Sequence, residues 1–440
     1  MSEVVILGAG LSGLSAAYHL NQSCEIFEKE ERAGGLCRSL KIGDFIFDYG
    51  PHILFPKDKY VADLIRNLLG KNLRIQSRQA WIYHKFCDVY TRFPFQSHLY
   101  GLPASVVKDC ILGFFNTLKK KEKNPENYEE WIIWNFGEGI ARHLMIPYAE
   151  KIWTLPPSKM NYEWVWNRVP RLSLEELLEG ALHDNPRLFG FNTEFWYPSH
   201  GGIEALAASF LSGARNLRLK KEATCVYLKQ KCVEFNDHKK VYYEKLISTL
   251  PLPEIIKRID DVPEEVRKAS QELEHNSVYC VNLGIERERI TPYHYIYFYE
   301  PDFLFHRISF PMNLSPYTTP KGFSSVTTEI SYSKYRKISK ENIVERVIGD
   351  LIKAKILLPD DKIVVSDVAD IKCAYIIYDL NHRKNVKKIH EFLRKNHIIP
   401  CGRFGEWEYF NMDHSIASGK RIAEELKKEK KGGKGVCPHF

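Results

Sequence analysis

The apolar run Val4-Val5-Ile6-Leu7 leads straight into Gly8-Ala9-Gly10-Leu11-Ser12-Gly13, then into Leu14 to Leu20, and a second short apolar run ends on Glu28. This order constrains the chain more than any other stretch: strand, tight glycine turn, helix, and an acid twenty residues after the first glycine. Each glycine has a physical job in such a turn. Gly8 allows the sharp reversal, Gly10 lets main chain approach a pyrophosphate with no Cβ in the way, and Gly13 lets the helix lie close on the sheet. The helix start at Leu11 and Ser12 offers free N–H groups and a partial positive charge to phosphates. Glu28, with Lys29 beside it, is placed to accept hydrogen bonds from a ribose diol. The spacing predicts a dinucleotide-binding α/β unit.

A second glycine turn, Arg32-Ala33-Gly34-Gly35-Leu36-Cys37-Arg38-Ser39, follows at once. A flavin dinucleotide is longer than NAD and needs main-chain access further along its pyrophosphate and ribityl chain, which Gly34, Gly35, Leu36 and Arg38 can supply. FAD is therefore the expected cofactor, and an acid at position 28 argues against a 2′-phosphate there.

At 440 residues the chain has room for two or three domains, and 44% hydrophobic content is ordinary for a globular protein. It contains no uninterrupted apolar run of about 18 residues, so stable membrane insertion is not expected. The first strand begins too early to leave room for a signal peptide. The ten cysteines are scattered without a C-x-x-C pair or metal-ligand spacing, which reads as reduced thiols, no metal and a cytoplasmic setting. The net charge is +8, and the segment Lys427–Lys434 holds five lysines against Glu429. We read it as a solvated end rather than a nucleic-acid arm; a homo-oligomer is left open.

Further along, Gly50-Pro51-His52 forces an irregular loop that can press main-chain atoms against a flat ring. Phe93-Pro94-Phe95-Gln96 sets aromatics around an amide that offers both a donor and an acceptor to a base edge, although packing alone explains the phenylalanines equally well. Residues 104–143 have helical periodicity, with an exposed lysine loop expected at Lys119–Lys123. Five of the eight tryptophans lie between 131 and 166, near Tyr148 and Arg168; Trp153 suits either a core or a nucleotide-sugar cleft. Strands are expected at Ala223–Tyr227, Cys232–Phe235, Val241–Tyr243 and Lys245–Leu250, the last as a parallel strand returning to the dinucleotide unit. Residues 278–335 are strand-rich, and Arg307 within them needs an anion, either a carboxylate or a phosphate. The closing segment carries Gly402, Arg403, Tyr409, Asn411, Met412, Asp413 and Ser415 ahead of a helix expected over Ile416–Leu426. The small residues Ala417, Ser418 and Gly419 in its first turn would let main chain approach a ligand.

Together the dinucleotide motif, Gly50 to His52 and the Gly402-Arg403-Phe404-Gly405 segment resemble the amine-oxidase and protoporphyrinogen-oxidase flavoprotein superfamily. More narrowly they resemble the UDP-galactopyranose mutase family, in its eukaryotic-type branch. Pro94-Phe95-Gln96 is similar to that family's uracil-binding motif, with Phe93 where the branch has tyrosine. The resemblance implies that Tyr148, Trp153, Tyr375, Tyr409 and Asn411 contact the substrate. It also implies that Arg168 and Arg307 grip its diphosphate, that His52 sits near the flavin and that Arg403 holds the FAD pyrophosphate. Departures fall at Leu314, Pro51 and Ala149, where the family has tyrosine, glycine and asparagine.

The implied reaction is non-redox: N5 of reduced FAD, primed by NAD(P)H or another reductant, attacks the anomeric carbon of a UDP-sugar and interconverts UDP-galactopyranose and UDP-galactofuranose. The alternative is an oxidoreductase of the same fold, which has no use for paired arginines. The expected fold is α/β: a Rossmann-like FAD-binding domain assembled from separated segments, with a helical domain and an antiparallel-sheet substrate domain. Its expected segments are 1–75, 195–275 and 376–430 for the FAD domain and 103–190 for the helices. Residues 76–102 and 276–375 are expected in the substrate domain, and 431–440 as a disordered basic tail.

Overall fold

The computed structural model describes residues 2–21, 24–118, 124–165, 168–184 and 193–430; the lysine run 119–123, Trp166, Asn167 and the basic tail lie outside the described residues. The strand Ser2–Leu7 pairs in parallel with Cys24–Phe27 on one side and with the second half of Lys240–Ser248 on the other. Val4 and Ile6 enter one hydrophobic cluster and Val5 and Leu7 the opposite one. A strand buried on both faces needs a continuous apolar run rather than alternation, which is why these residues read as they do. Leu217–Arg218 extends the parallel sheet beyond Cys24–Phe27, and Ile398–Pro400 extends it beyond Lys240–Ser248. The sheet therefore draws on segments nearly four hundred residues apart, as expected.

Two expectations change in detail. The stretches taken as separate strands at Val241–Tyr243 and Lys245–Leu250 are one strand, Lys240–Ser248. Its start closes an antiparallel meander with Ala223–Tyr227 and Cys232–Phe235, and its end runs parallel in the central sheet. The returning strand is also not the last, because Ile398–Pro400 lies outside it.

At the glycine turn, Gly8 has φ +96°, and a Cβ on Gly13 would lie 2.0 Å from the Gly8 carbonyl oxygen, so the helix Leu11–Leu20 sits against its own turn. The closing helix begins at Met412 rather than Ile416 and runs to Lys430. The small residues taken for ligand approach serve a different end. A Cβ on Gly419 would lie 2.4 Å from the Ser12 carbonyl oxygen, and Ser15 donates to the Ile416 carbonyl at 2.7 Å. They let the two helices touch main chain to main chain.

The second sheet runs in the order Ile363–Ile377, Glu274–Ile285, Ser324–Tyr332, Arg307–Ser309, Tyr295–Tyr297, Ala80–His84, Val89–Arg92. Its pairings are antiparallel except between Tyr295–Tyr297 and Ala80–His84, which run parallel. Strand alternation sends Ile296 and Ile308 into the sheet's own core and leaves Tyr295, Tyr297, Arg307 and Glu329 on the other face. The helices Ala104–Thr117, Tyr128–Ile140, Ile146–Trp153 and Leu174–Leu182 form a third region. Among the described residues no helix is long and apolar enough to cross a membrane.

Candidate functional site

A cleft of about 1250 Å³ is lined by residues from both sheets and from the helical region. Of the residues singled out for cofactor or substrate, all lie along its wall except Gly13, Gly402 and the small residues Ala417, Ser418 and Gly419. Gly13 is spent on the turn, as described. Gly402, expected at the cofactor, has φ +76°, and a Cβ there would fall 1.9 Å from the Ser12 hydroxyl. Its N–H donates to the Ser418 hydroxyl at 2.9 Å, so it braces the helix start from behind the wall.

At one end, Glu28 accepts from the N–H of Ala9 at 2.7 Å and of Glu30 at 3.1 Å. It holds its own turn with one lone pair on each oxygen and keeps the others for a ligand. Arg38 donates to the Gly35 carbonyl at 3.1 Å and to Glu30 at 3.2 Å, and its guanidinium lies 5.0 Å from the Tyr49 ring centroid.

Whether this end fits a flavin dinucleotide can be tested on the chain's own atoms. The nearest protein atom to a Cβ placed on Gly10 is the Gly35 Cα at 3.9 Å, so a methyl there would project into open cleft. No side chain caps the helix at Gly10, which leaves its first N–H groups for an anion. On the same wall the Arg403 Nε is buried with no hydrogen-bond partner among the described residues, while Asp413 Oδ1, also buried, has His414 Nδ1 at 3.2 Å. A pyrophosphate answers the open main chain at Gly10, the free N–H groups of the helix and the Arg403 Nε, and the residues fit FAD.

In the middle of the cleft His52 Nδ1 lies 3.0 Å from the Gly50 carbonyl. Burial pushes the ring down to about 4, and the Arg403 and Arg307 charges add to this. The ring is neutral near pH 7. Since a carbonyl only accepts, Nδ1 carries the proton and Nε2 keeps a lone pair.

At the other end, Arg307, Glu329 and Tyr297 stand in register on three adjacent strands. Arg307 donates to Glu329 through Nε and, at 2.9 Å, through Nη2; the same Nη2 lies 3.4 Å from the Tyr375 hydroxyl. The anion that Arg307 needed is a carboxylate of this chain. Burial works against the Arg307 charge, but Glu329 outweighs it and holds the guanidinium well above its ordinary value. Among the described residues Arg168 forms no ion pair: it donates to the Tyr409 carbonyl and, at 3.1 Å, to Asn411, and stacks 4.3 Å from the Tyr409 ring centroid. Tyr375 and Tyr409 lie 6.2 Å apart, each against Trp153, and join the two arginines across the cleft. Trp153 is thus both core and wall, at 3% exposure. Phe93 stacks on Tyr297 at 4.7 Å, and Tyr148 meets Tyr297 edge-on at 5.7 Å. Buried Gln96 donates to the Pro170 carbonyl at 3.2 Å, which fixes its amide and leaves its oxygen and second N–H for a base edge.

The sequence profile of the family described as flavin containing amine oxidoreductase matches residues 11–427. The chain belongs to that family. Within it, the chain is similar to the crystal structure of reduced UDP-galactopyranose mutase, with a TM-score of 0.93, 26% identity and coverage of 98% of this chain and 94% of that one. It is also similar in fold to a CLA-producing fatty acid isomerase from P. acnes, with a TM-score of 0.67, 14% identity and coverage of 97% and 98%. Coproporphyrinogen III oxidase of Bacillus subtilis (strain 168) is 18% identical over 89% of this chain and 90% of its own length. The fold is shared with both solved structures, whose names describe a mutase and an isomerase, and fold alone does not fix the chemistry.

Among the wall residues that escaped the sequence reading are Arg78, Tyr295, Tyr297 and Glu329. The tyrosines carried a usable signal, since Tyr295 and Tyr297 alternate in a strand beside Arg307 and must share its face. Glu329 stands as an acid in the otherwise uncharged run Ser324–Ser331, a signal that a partner was required.

Proposed function

We propose that this flavoprotein is a non-redox isomerase that interconverts UDP-galactopyranose and UDP-galactofuranose or a closely related UDP-sugar. The reading is carried by one observation: Arg168 and Arg307, 139 positions apart, line the same cleft as the cofactor groove and are linked through Tyr375 and Tyr409. The likeness to reduced UDP-galactopyranose mutase supports it. Reduced FAD, primed by NAD(P)H or another reductant, supplies a nucleophilic ring nitrogen to this site.

The chain's own part is binding and orientation. Phe93, Phe95 and Gln96 take the base, and Tyr148 and Tyr297 close the aromatic wall beside it. Arg168 binds the diphosphate with charge-assisted bonds, and Arg307 does so through the N–H groups Glu329 leaves over; the same bonds stabilise UDP as a leaving group. Burial raises the Tyr375 phenol well above its ordinary value, so it stays protonated; its one proton goes to Glu329 at 3.3 Å, and it donates to a phosphate oxygen only by turning from that carboxylate. Neutral His52 presents the lone pair of Nε2 to the cleft and adds no charge beside the cofactor.

A second reading, an oxidoreductase of the amine-oxidase or protoporphyrinogen-oxidase type, is favoured by the family and by the likeness to Coproporphyrinogen III oxidase; it leaves Arg168 and Arg307 without a task. Anaerobic incubation of dithionite-reduced protein with UDP-galactose, followed by chromatography for the furanose isomer, separates the two. Product formed only with reduced flavin, and without net consumption of reductant, supports the isomerase. Stoichiometric flavin reduction by an amine or porphyrinogen in the absence of UDP-sugar moves the assignment to the oxidoreductase.

A further inference from the structure

The charge balance of the cleft does not close with the two arginines named so far. A nucleotide-sugar diphosphate carries two negative charges, and a buried charge needs a partner. Arg168 offers one positive charge: it feels Asp413 but, among the described residues, forms no ion pair with a carboxylate, its hydrogen bonds going to Asn411 and the Tyr409 carbonyl. Arg307 offers almost none, because Glu329 is bound to it through two hydrogen bonds at 3% exposure. Arg403 lies on the cofactor side, with both terminal nitrogens on the Phe410 and Ala374 carbonyls at 2.6 and 2.8 Å. Lys57 is exposed and feels Asp413 as well as Arg168.

Arg78 has the right character to supply the second charge. It lines the cleft, and among the described residues it forms no ion pair; its Nη2 donates to the Tyr297 hydroxyl. Its Nε is buried with no hydrogen-bond partner, and so is the hydroxyl of Tyr295, a residue 1% exposed on the same wall. The Arg78 and Arg307 guanidinium carbons each lie 5.6 Å from the Tyr295 ring centroid. Arg78 also packs 5.2 Å from the centroid of Phe93, the ring expected to face the base. A half-buried arginine among aromatics, with a buried unanswered N–H and an unanswered hydroxyl on the same wall, is an anion site.

Resting on the reading given under the proposed function, we infer that Arg78, with the Tyr295 hydroxyl, binds the substrate's diphosphate and supplies the positive charge that Glu329 withdraws from Arg307. Its position against Phe93 assigns it to the phosphate nearer the nucleoside. Arg307 stays charged but, offset by Glu329, adds hydrogen bonds and no net charge to the site, and the clamp's two net charges are Arg168 and Arg78.

The test is equilibrium binding of UDP and of uridine to the FAD-loaded protein, wild type against Arg78→Ala, Arg78→Lys and Tyr295→Phe, with bound flavin and far-UV circular dichroism as checks on folding. Loss of a charge-assisted contact should weaken UDP binding to Arg78→Ala by about 10- to 100-fold while uridine changes by less than about 2-fold. Arg78→Lys should recover part of the loss, and Tyr295→Phe should cost UDP about 3- to 10-fold. Unchanged UDP affinity in Arg78→Ala overturns the inference. Equal losses for UDP and uridine also overturn it, since the arginine would then only shape the aromatic wall. Where the wild type itself binds no UDP, the reading of the cleft falls and takes this inference with it; UDP binding that needs Arg168 but not Arg78 removes the inference alone. Should Arg78→Ala lose its flavin or its fold, Arg78→Gln, which keeps a donor to Tyr297 and drops the charge, decides the question on the same two ligands.

Discussion

Replacing Glu329 by alanine should weaken the fold and, in the same molecule, strengthen its response to UDP. The carboxylate is 3% exposed and accepts from two Arg307 nitrogens and from the Tyr375 hydroxyl at 3.3 Å. Its removal leaves a buried guanidinium without a counter-charge, which costs about 3–5 kcal/mol. For a chain of 440 residues, an unfolding entropy of about 2.1 cal/mol/K per residue sums to about 0.9 kcal/mol/K, so the thermal midpoint should fall by about 3–5 °C. Glu329→Gln keeps the volume and one acceptor and should lose about half as much. Saturating UDP then restores an anion to Arg307, and the UDP-induced rise in midpoint should exceed that of the wild type by about 2–3 °C, corresponding to about 1.5–3 kcal/mol for one charge-assisted contact. Differential scanning calorimetry at fixed FAD saturation reads both quantities. A midpoint unchanged by the substitution refutes the buried ion pair. A UDP increment equal in variant and wild type refutes the placement of Arg307 against the diphosphate.

Three other expectations follow from the same geometry. Arg168→Ala removes the guanidinium stacked on Tyr409 and should weaken UDP by about 10- to 100-fold with flavin content unchanged, as read by equilibrium titration. Gly10→Ala places a methyl in open cleft and should yield folded protein purified without flavin, whereas Gly13→Ala places one 2.0 Å from a carbonyl and should lower the thermal midpoint itself; equal behaviour of the two would contradict the assignment of the cofactor groove. His52, His84, His294 and His390 are each pushed down to about 4, chiefly by burial. The unfolded chain takes up protons at these rings near pH 6.5 and the folded chain does not, so stability present above that pH is lost as pH falls toward 4. Asp48, pushed up to about 6 by burial, opposes the trend only below that point. The midpoint should decline from pH 7 to pH 5, and a flat profile would mean that these rings do not remain neutral in the folded state.

The cofactor end was legible because its physics is local. Gly8, Gly10, Gly13 and Glu28 act within one strand-turn-helix unit, where the spacing along the chain sets the spacing in space. Arg307 was read from its strand as needing a carboxylate or a phosphate, and Arg168 from its aromatic surroundings, but their pairing on a diphosphate came only from family resemblance, and that the anion on Arg307 is Glu329, twenty-two residues away on the neighbouring strand, was not legible. The small residues at 417–419 were misread for a related reason: a helix that must approach a ligand and one that must approach another helix need the same side chains, and only the position of Ser12 to Ala16 tells them apart.

The amino-acid order by itself determined a strand buried on both faces and a tight glycine turn opening a helix, the arrangement from which a dinucleotide cofactor was expected, because short-range sterics and hydrogen bonding act within one strand-turn-helix unit. Tertiary structure decided which cations in the cleft are free. Coulombic pairing acts through space and is indifferent to separation along the chain, so the charge on Arg307, Arg78 and Arg168 could be assigned only after the strands had brought Glu329 and the tyrosines beside them.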